Sequence, residues 1–195
     1  MTRSVAAAPA RVLLGVALLA LTLGGCAGES KDREVAQALK QESSAEMLFA
    51  KGRAAATIGD LTRAEQYFVA AIKTGGDERK IIKPLLVACI TDQRFPVALE
   101  YAEQYLYRHP DDVDVRFVAA SVHAVLGHAD EAQKLLESVV RSRPESAEVH
   151  YALATVLYQG GNLERAARHD LEYLKLEPEG EHAAQARARL SASAP

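Results

Sequence analysis

Residues 132–166 read AQKLLESVVRSRPESAEVHYALATVLYQGGNLERA, beginning and ending on alanine with Pro144 between them. The same spacing continues on both sides. Alanine stands at Ala64, Ala98, Ala132 and Ala166, and proline at Pro110, Pro144 and Pro178, every step being 34 residues. A fixed period of this length marks a stacked array of helical hairpins, in which each unit buries its apolar face only against its neighbours.

The hairpins can be drawn from capping and breaker residues. Ser43-Ser44-Ala45-Glu46 and Thr62-Arg63-Ala64-Glu65 have the form of capping boxes, the second just after the turn signal Gly59-Asp60. They set out a first hairpin of Ala45 to Ile58 and Arg63 to Thr74. Ile81 to Asp92 then pairs with Pro96 to Arg108, Val113 to Leu126 with Glu131 to Arg141, and Ala147 to Tyr158 with Glu164 to Leu176. Asp130 suits an N-cap, and Pro96 suits the first helical position, where a missing N–H costs nothing. Pro84 clashes with the carbonyl four residues back unless it lies in a first turn. That helix is therefore expected to begin no earlier than about Lys80. The alanine-rich segment Glu181 to Leu190 is helical by propensity and stands where an array needs a cap over its apolar end. The tail beyond Ser191 is expected to fray.

The N-terminal segment obeys different rules. Arg3 and Arg11 precede Val12 to Leu23, which is apolar apart from Thr22, and Leu23-Gly24-Gly25-Cys26 follows. A basic start, a short apolar stretch and small residues form an export signal. The stretch is shorter than the roughly 20 residues a membrane span needs. Residues 26–42 then form a polar tether from Gly28 to Arg33 and a short lead-in helix from Glu34 to Gln41. Removal of residues 1–25 takes away Arg3 and Arg11 and moves the formal charge from −3 to −5. An acidic balance leaves no electrostatic footprint for nucleic acid. With Cys26 committed elsewhere, Cys89 has no disulfide partner.

The 34-residue units resemble the tetratricopeptide repeat family. The family pattern, W-x2-L-G-x2-Y, then A-x3-F, then P, is met in the first repeat by Leu48, Lys51, Gly52, Ala55, Ala64, Phe68 and Gly76. In the second it is met by Ile82, Leu85, Leu86, Cys89, Ala98, Ala102 and Pro110. The third has Arg116, Ala119, Ala120, His123, Ala132, Leu136 and Pro144, and the fourth His150, Leu153, Ala154, Leu157, Ala166, Asp170 and Pro178. Lys51, Arg116, His150 and Asp170 are polar where the pattern is apolar or aromatic. The resemblance implies an all-α fold: a solenoid of four helical hairpins over residues 43–179, closed by a capping helix within 180–195. Leu23-Gly24-Gly25-Cys26 resembles the bacterial lipobox, which implies a lipid on Cys26 and cleavage before it. Ala27, in place of the aspartate that signals inner-membrane retention in Gram-negative lipoproteins, implies an outer-membrane protein facing the periplasm.

No catalytic set and no cofactor motif is found. The six histidines show no metal-ligand spacing and read as polar surface side chains. Cys89 reads as a small buried hydrophobe. Asp111, Asp112 and Asp114 read as acids favoured at a helix N-terminus, since no calcium loop follows them.

The resemblance also implies a concave groove lined by the first helix of each hairpin. Carried over, its ligand-facing positions include Phe49, Arg53, Lys80, Lys83, Phe117, Tyr151 and Tyr158. Such a strip suits a protein partner offering an extended or helical peptide with apolar anchors and some acidic residues. Alternatively, the rings pack only between adjacent hairpins. The chaperone-tail clamp of some members, with lysine and asparagine at the fifth and ninth positions, is not matched by Phe49 and Arg53. The expected function is a lipid-anchored scaffold in the assembly of a cell-envelope machine, foremost a type IV or tight-adherence pilus or its secretin. Outer-membrane biogenesis, a peptidoglycan-enzyme adaptor, and a glycan or small-ligand receptor using Tyr151 and Tyr158 are the alternatives.

Overall fold

A computed structural model describes residues 33, 35, 37, 40–41 and 43–192. The chain divides into two compact units, Met1–Gln41 and Glu42–Pro195. In the first, Arg33, Val35, Gln37, Lys40 and Gln41 are helical. Cys26 and the export segment lie outside the described residues.

The second unit is a run of helices: α1 (Ala45–Thr57), α2 (Leu61–Lys73), α3 (Glu78–Thr91), α4 (Phe95–Arg108), α5 (Val113–Val125), α6 (Ala129–Ser142), α7 (Ala147–Gln159), α8 (Leu163–Leu176) and α9 (Ala183–Ala192). Each packs on the next, and the first helices of successive hairpins also meet, α1 with α3 and α5 with α7. This is the helical-hairpin solenoid of the tetratricopeptide type.

The 34-residue step is visible in the packing. Ala64, Ala98, Ala132 and Ala166 are all buried between helices. So are Phe68, Ala102, Leu136 and Asp170, and likewise Ala71, Tyr105, Val139 and Tyr173. Gly52 shows why the first helix needs a small residue. A Cβ there would lie 2.6 Å from two atoms of the Phe68 ring.

The joints repeat as well. His109, Arg143 and Glu177 end their helices with φ of −130°, −138° and −132°. Each precedes a proline, whose ring excludes the helical conformation from the residue before it. Inside the hairpins, Gly59, Gly127 and Gly161 have φ of 79°, 78° and 77°, and Gln93 fills the same position of the second repeat at 56°. Three glycines and one glutamine at 34-residue spacing therefore make the same left-handed turn, which glycine adopts without a Cβ penalty.

Several local expectations are corrected. The cap of α1 is Ser44, whose Oγ accepts from the Met47 N–H at 3.2 Å, one residue later than the capping box suggested. Asp60 caps α2 through the Arg63 N–H at 3.1 Å, so Thr62 lies inside the helix. Helix α6 starts after His128, and Asp130 sits in its first turn. Helix α3 starts at Glu78 because Asp77 caps it, which leaves Pro84 in the interior. Pro84 has no N–H to give the Lys80 carbonyl, but the half-buried ring stands among Ile81, Ile82, Leu85 and Leu86, whose burial holds the helix through that gap.

Candidate protein-binding groove

The polar residues that depart from the repeat pattern are satisfied within the fold. Asp170 on α8 is fully buried and accepts from Arg189 of α9, Oδ2 from Nε at 2.9 Å and Oδ1 from Nη2 at 2.5 Å. Arg189 Nη1 also donates to Thr155 Oγ1 at 3.2 Å. The C-terminal helix is thus fastened by a charged pair as well as by Ala183 and Ala186 against Tyr173. His150 is buried rather than at the surface. Its Nε2 meets the Pro144 carbonyl at 2.9 Å and its Nδ1 meets His169 Nδ1 at 3.0 Å. Burial, together with the charge of His150 and Arg165, holds the His169 imidazole below its usual pKa. His123 is buried too, with Nδ1 3.3 Å from His128 Nδ1. Arg116 donates to the Pro110 carbonyl and to Ser138 Oγ. Cys89 is buried, and loss of hydration pushes its thiol up to about 11, which keeps it protonated and unreactive.

The aspartates ahead of α5 serve the joint between repeats. Asp112 caps Val115 N–H at 3.1 Å and accepts from the Tyr105 hydroxyl at 2.7 Å. Asp111 pairs with Arg79 at 3.1 Å. Asp114 is shared by Lys83 and Arg143, and the Lys83 ammonium is the main cause of its lowered pKa.

The sequence-derived groove residues fall into separate places. Phe49 and Lys80 line a small hollow of about 120 Å3 with Glu46, Asp77 and Ile81. Phe49 is half-buried, its ring centroid 5.8 Å from that of Phe68. Arg53 and Lys80 are exposed, and Lys80 lies 3.4 Å from Asp77. Lys83 is drawn to Asp114 rather than left to the groove. Phe117 and Tyr151 meet in a second, larger concavity of about 390 Å3, floored by Leu136 and walled by Ser121, Ala124, Ala152 and Thr155. Tyr158 is outside it and packs against the core of the last repeats.

The two rings of the larger concavity are not equivalent. Tyr151 is stacked on His182, centroids 4.0 Å apart and nearly parallel, with the Arg189 guanidinium carbon 4.7 Å from its centroid. Phe117 is half-buried against the Leu136 and Val156 cluster, and among the described residues no second ring stacks on it. Phe117 is therefore the aromatic surface the concavity offers, while Tyr151 also receives the C-terminal segment. Ser121 and Glu148 line the hollow as well, and His182 is a wall residue that sequence reasoning missed. Ser121 and Glu148 stand at ligand-facing positions of the repeat, 34 residues from Val87 and Asp114, whereas His182 lies outside the period.

Among the described residues no group of three His, Cys, Asp or Glu side chains is placed to hold a metal ion, and no helix is long and apolar enough to cross a membrane.

No curated protein matches the chain by sequence. Solved structures do match by fold. YrrB, a TPR protein with an unusual peptide-binding site, superimposes with a TM-score of 0.67 at 19% identity, over 83% of this chain and 86% of YrrB. MamA from Desulfovibrio magneticus RS-1 gives 0.65 at 19% identity, over 80% of this chain and 91% of MamA. A tetratricopeptide repeat protein from Parabacteroides merdae gives 0.70 at 20% identity, over 76% of this chain and 59% of that one. At these identities the likeness establishes the fold. The tetratricopeptide repeat family model matches residues 33–78 and 117–184, more than half of the chain. With hairpins in the 34-residue step and a family match over most of their length, the chain belongs to the tetratricopeptide repeat family, a protein-interaction scaffold whose fold binds protein or peptide partners.

Proposed function

We propose that this chain is a lipid-anchored scaffold that captures an extended or helical segment of a partner protein in its concave face, during assembly of a cell-envelope machine. The observation that carries the reading is the concavity of about 390 Å3 between α5 and α7, with Phe117 on its wall and, among the described residues, no second ring stacked on it. Half-exposed aromatic rings in apolar hollows supply most of the binding energy in interfaces of this kind. Phe49, Arg53 and Lys80 extend the surface toward the first repeat. YrrB, of like fold, has a peptide-binding site.

The anchor is Cys26, after Leu23-Gly24-Gly25, and Ala27 favours the outer membrane facing the periplasm. A type IV or tight-adherence pilus, or its secretin, is the machine most in keeping with a small anchored scaffold.

Detergent extracts of membranes holding tagged wild type or Phe117→Ala test the proposal. The expected result is a stoichiometric protein partner with wild type that is lost from Phe117→Ala. Retention on peptidoglycan or free sugar with no protein partner overturns it.

A further inference from the structure

We infer that the partner segment presents a lysine or arginine beside its apolar anchor, received by Glu148 and the hydroxyl oxygens on the wall of the larger concavity. This rests on the proposed function and adds the sign of the charge.

The lining of the concavity contains one carboxylate, the exposed Glu148, and no lysine or arginine. Glu148 enters no ion pair among the described residues, whereas the next acid along the same face, Asp114, is neutralised by Lys83 and Arg143. The cations of the carried-over surface, Arg53, Lys80 and Lys83, lie on α1 and α3 and do not line this hollow.

The hydroxyls point the same way. Ser121 Oγ donates its proton to the Phe117 carbonyl at 3.0 Å, and Thr155 Oγ1 donates to the Tyr151 carbonyl at 2.9 Å. A hydroxyl has one proton and two lone pairs, so both groups keep only acceptor capacity, part of which Thr155 already gives to Arg189. Gln159, Tyr151 and His182 bring donors of their own to the lining, but its one formal charge is the Glu148 carboxylate. With the Ser121 acceptor, that carboxylate asks for donors and positive charge from whatever fills the hollow. The chain already contains one such solution. Arg189 lies over the Tyr151 ring and donates to Thr155 Oγ1. A guanidinium or ammonium from a partner, next to a side chain seated on Phe117, meets Ser121 and Glu148 in the same manner.

The test is a random peptide library panned against the full chain, tagged after Pro195 and held in detergent, in parallel with Glu148→Lys and Phe117→Ala. Circular dichroism checks that both variants remain helical. The expected wild-type winners combine a large apolar residue with a neighbouring lysine or arginine. Glu148→Lys weakens them roughly tenfold, the scale of one lost charged contact. Winners that are acidic or indifferent to charge, still dependent on Phe117, overturn this inference and leave the proposed function standing. Winners unaffected by Phe117→Ala, or none at all, overturn both.

Discussion

Asp170 and Arg189 stand 19 residues apart and form a two-pronged charged pair in which the carboxylate has no exposed surface. The pair joins the last repeat to the helix that covers it. Arg189→Met strands the carboxylate in an apolar setting, for which the expected loss is about 3–5 kcal/mol. The paired change Asp170→Leu with Arg189→Met removes both charges and recovers most of that loss. Urea unfolding of the wild type and both variants measures each step, and equal loss in the single and double variants would refute the assignment.

Gly52 is expected to reject even a methyl group. Its Cβ would fall 2.6 Å from the fully buried Phe68 ring. Gly52→Ala should cost about 1–3 kcal/mol by overpacking. The matching positions Ala120 and Ala154 already carry that methyl, so the effect belongs to the first hairpin. Ala132→Trp, at a fully buried alanine between α5 and α6, should lower the melting temperature further. An unchanged melting temperature in either variant contradicts the packing.

Gln93 holds a left-handed conformation that its three counterparts reach with glycine. Gln93→Gly should stabilise the second hairpin by up to about 1 kcal/mol, since the relieved strain exceeds the entropy glycine adds to the unfolded chain. Thermal unfolding decides the sign, and a lower melting temperature would show that no strain is stored there.

Acid should loosen the fourth hairpin. His150 donates from Nε2 to the Pro144 carbonyl, which leaves Nδ1 as the acceptor for His169. Two protonated rings cannot share that contact, and His169 is held below its ordinary pKa mainly by burial. In the unfolded chain histidine takes up a proton near pH ~6.5, earlier than in the fold. The pair's contribution is therefore full above about pH 7.5 and declines as the pH falls through about 6.5 toward the folded pKa. His169→Gln should flatten the melting temperature profile between about pH 7.5 and 5.5. An identical slope in wild type and variant would dismiss this account.

The period makes the stack legible because every repeat solves the same burial problem at the same positions, as Ala64 to Ala166 and the pre-proline joints show. What the repeats do not share is harder to read. Asp170 reads as a misfit because its partner stands on a helix outside the period. His123 and His150 read as surface residues because a lone sequence gives no sign that another histidine will satisfy each. Lys83 reads as a groove cation because its tie to Asp114 crosses between repeats. The capping boxes are offset by a residue or two because neighbouring serines, threonines and aspartates all accept the same backbone donors.

The proposed lipid on Cys26 makes a separate prediction. Cys26→Ser should move the protein from the membrane pellet to the soluble fraction, since stable anchoring needs more than one acyl chain. Mass spectrometry of an unmodified Cys26 on the mature chain would rule the anchor out.

The hollow between α5 and α7 is proposed to hold a partner protein. A photo-crosslinking amino acid placed at Ser121, on the wall beside Phe117, tests it in living cells. Arg168, exposed on α8, serves as the position outside the hollow. One discrete protein adduct from position 121, absent from position 168 and lost with Phe117→Ala, is the predicted result. No adduct from 121, or the same adducts from both positions, would contradict it.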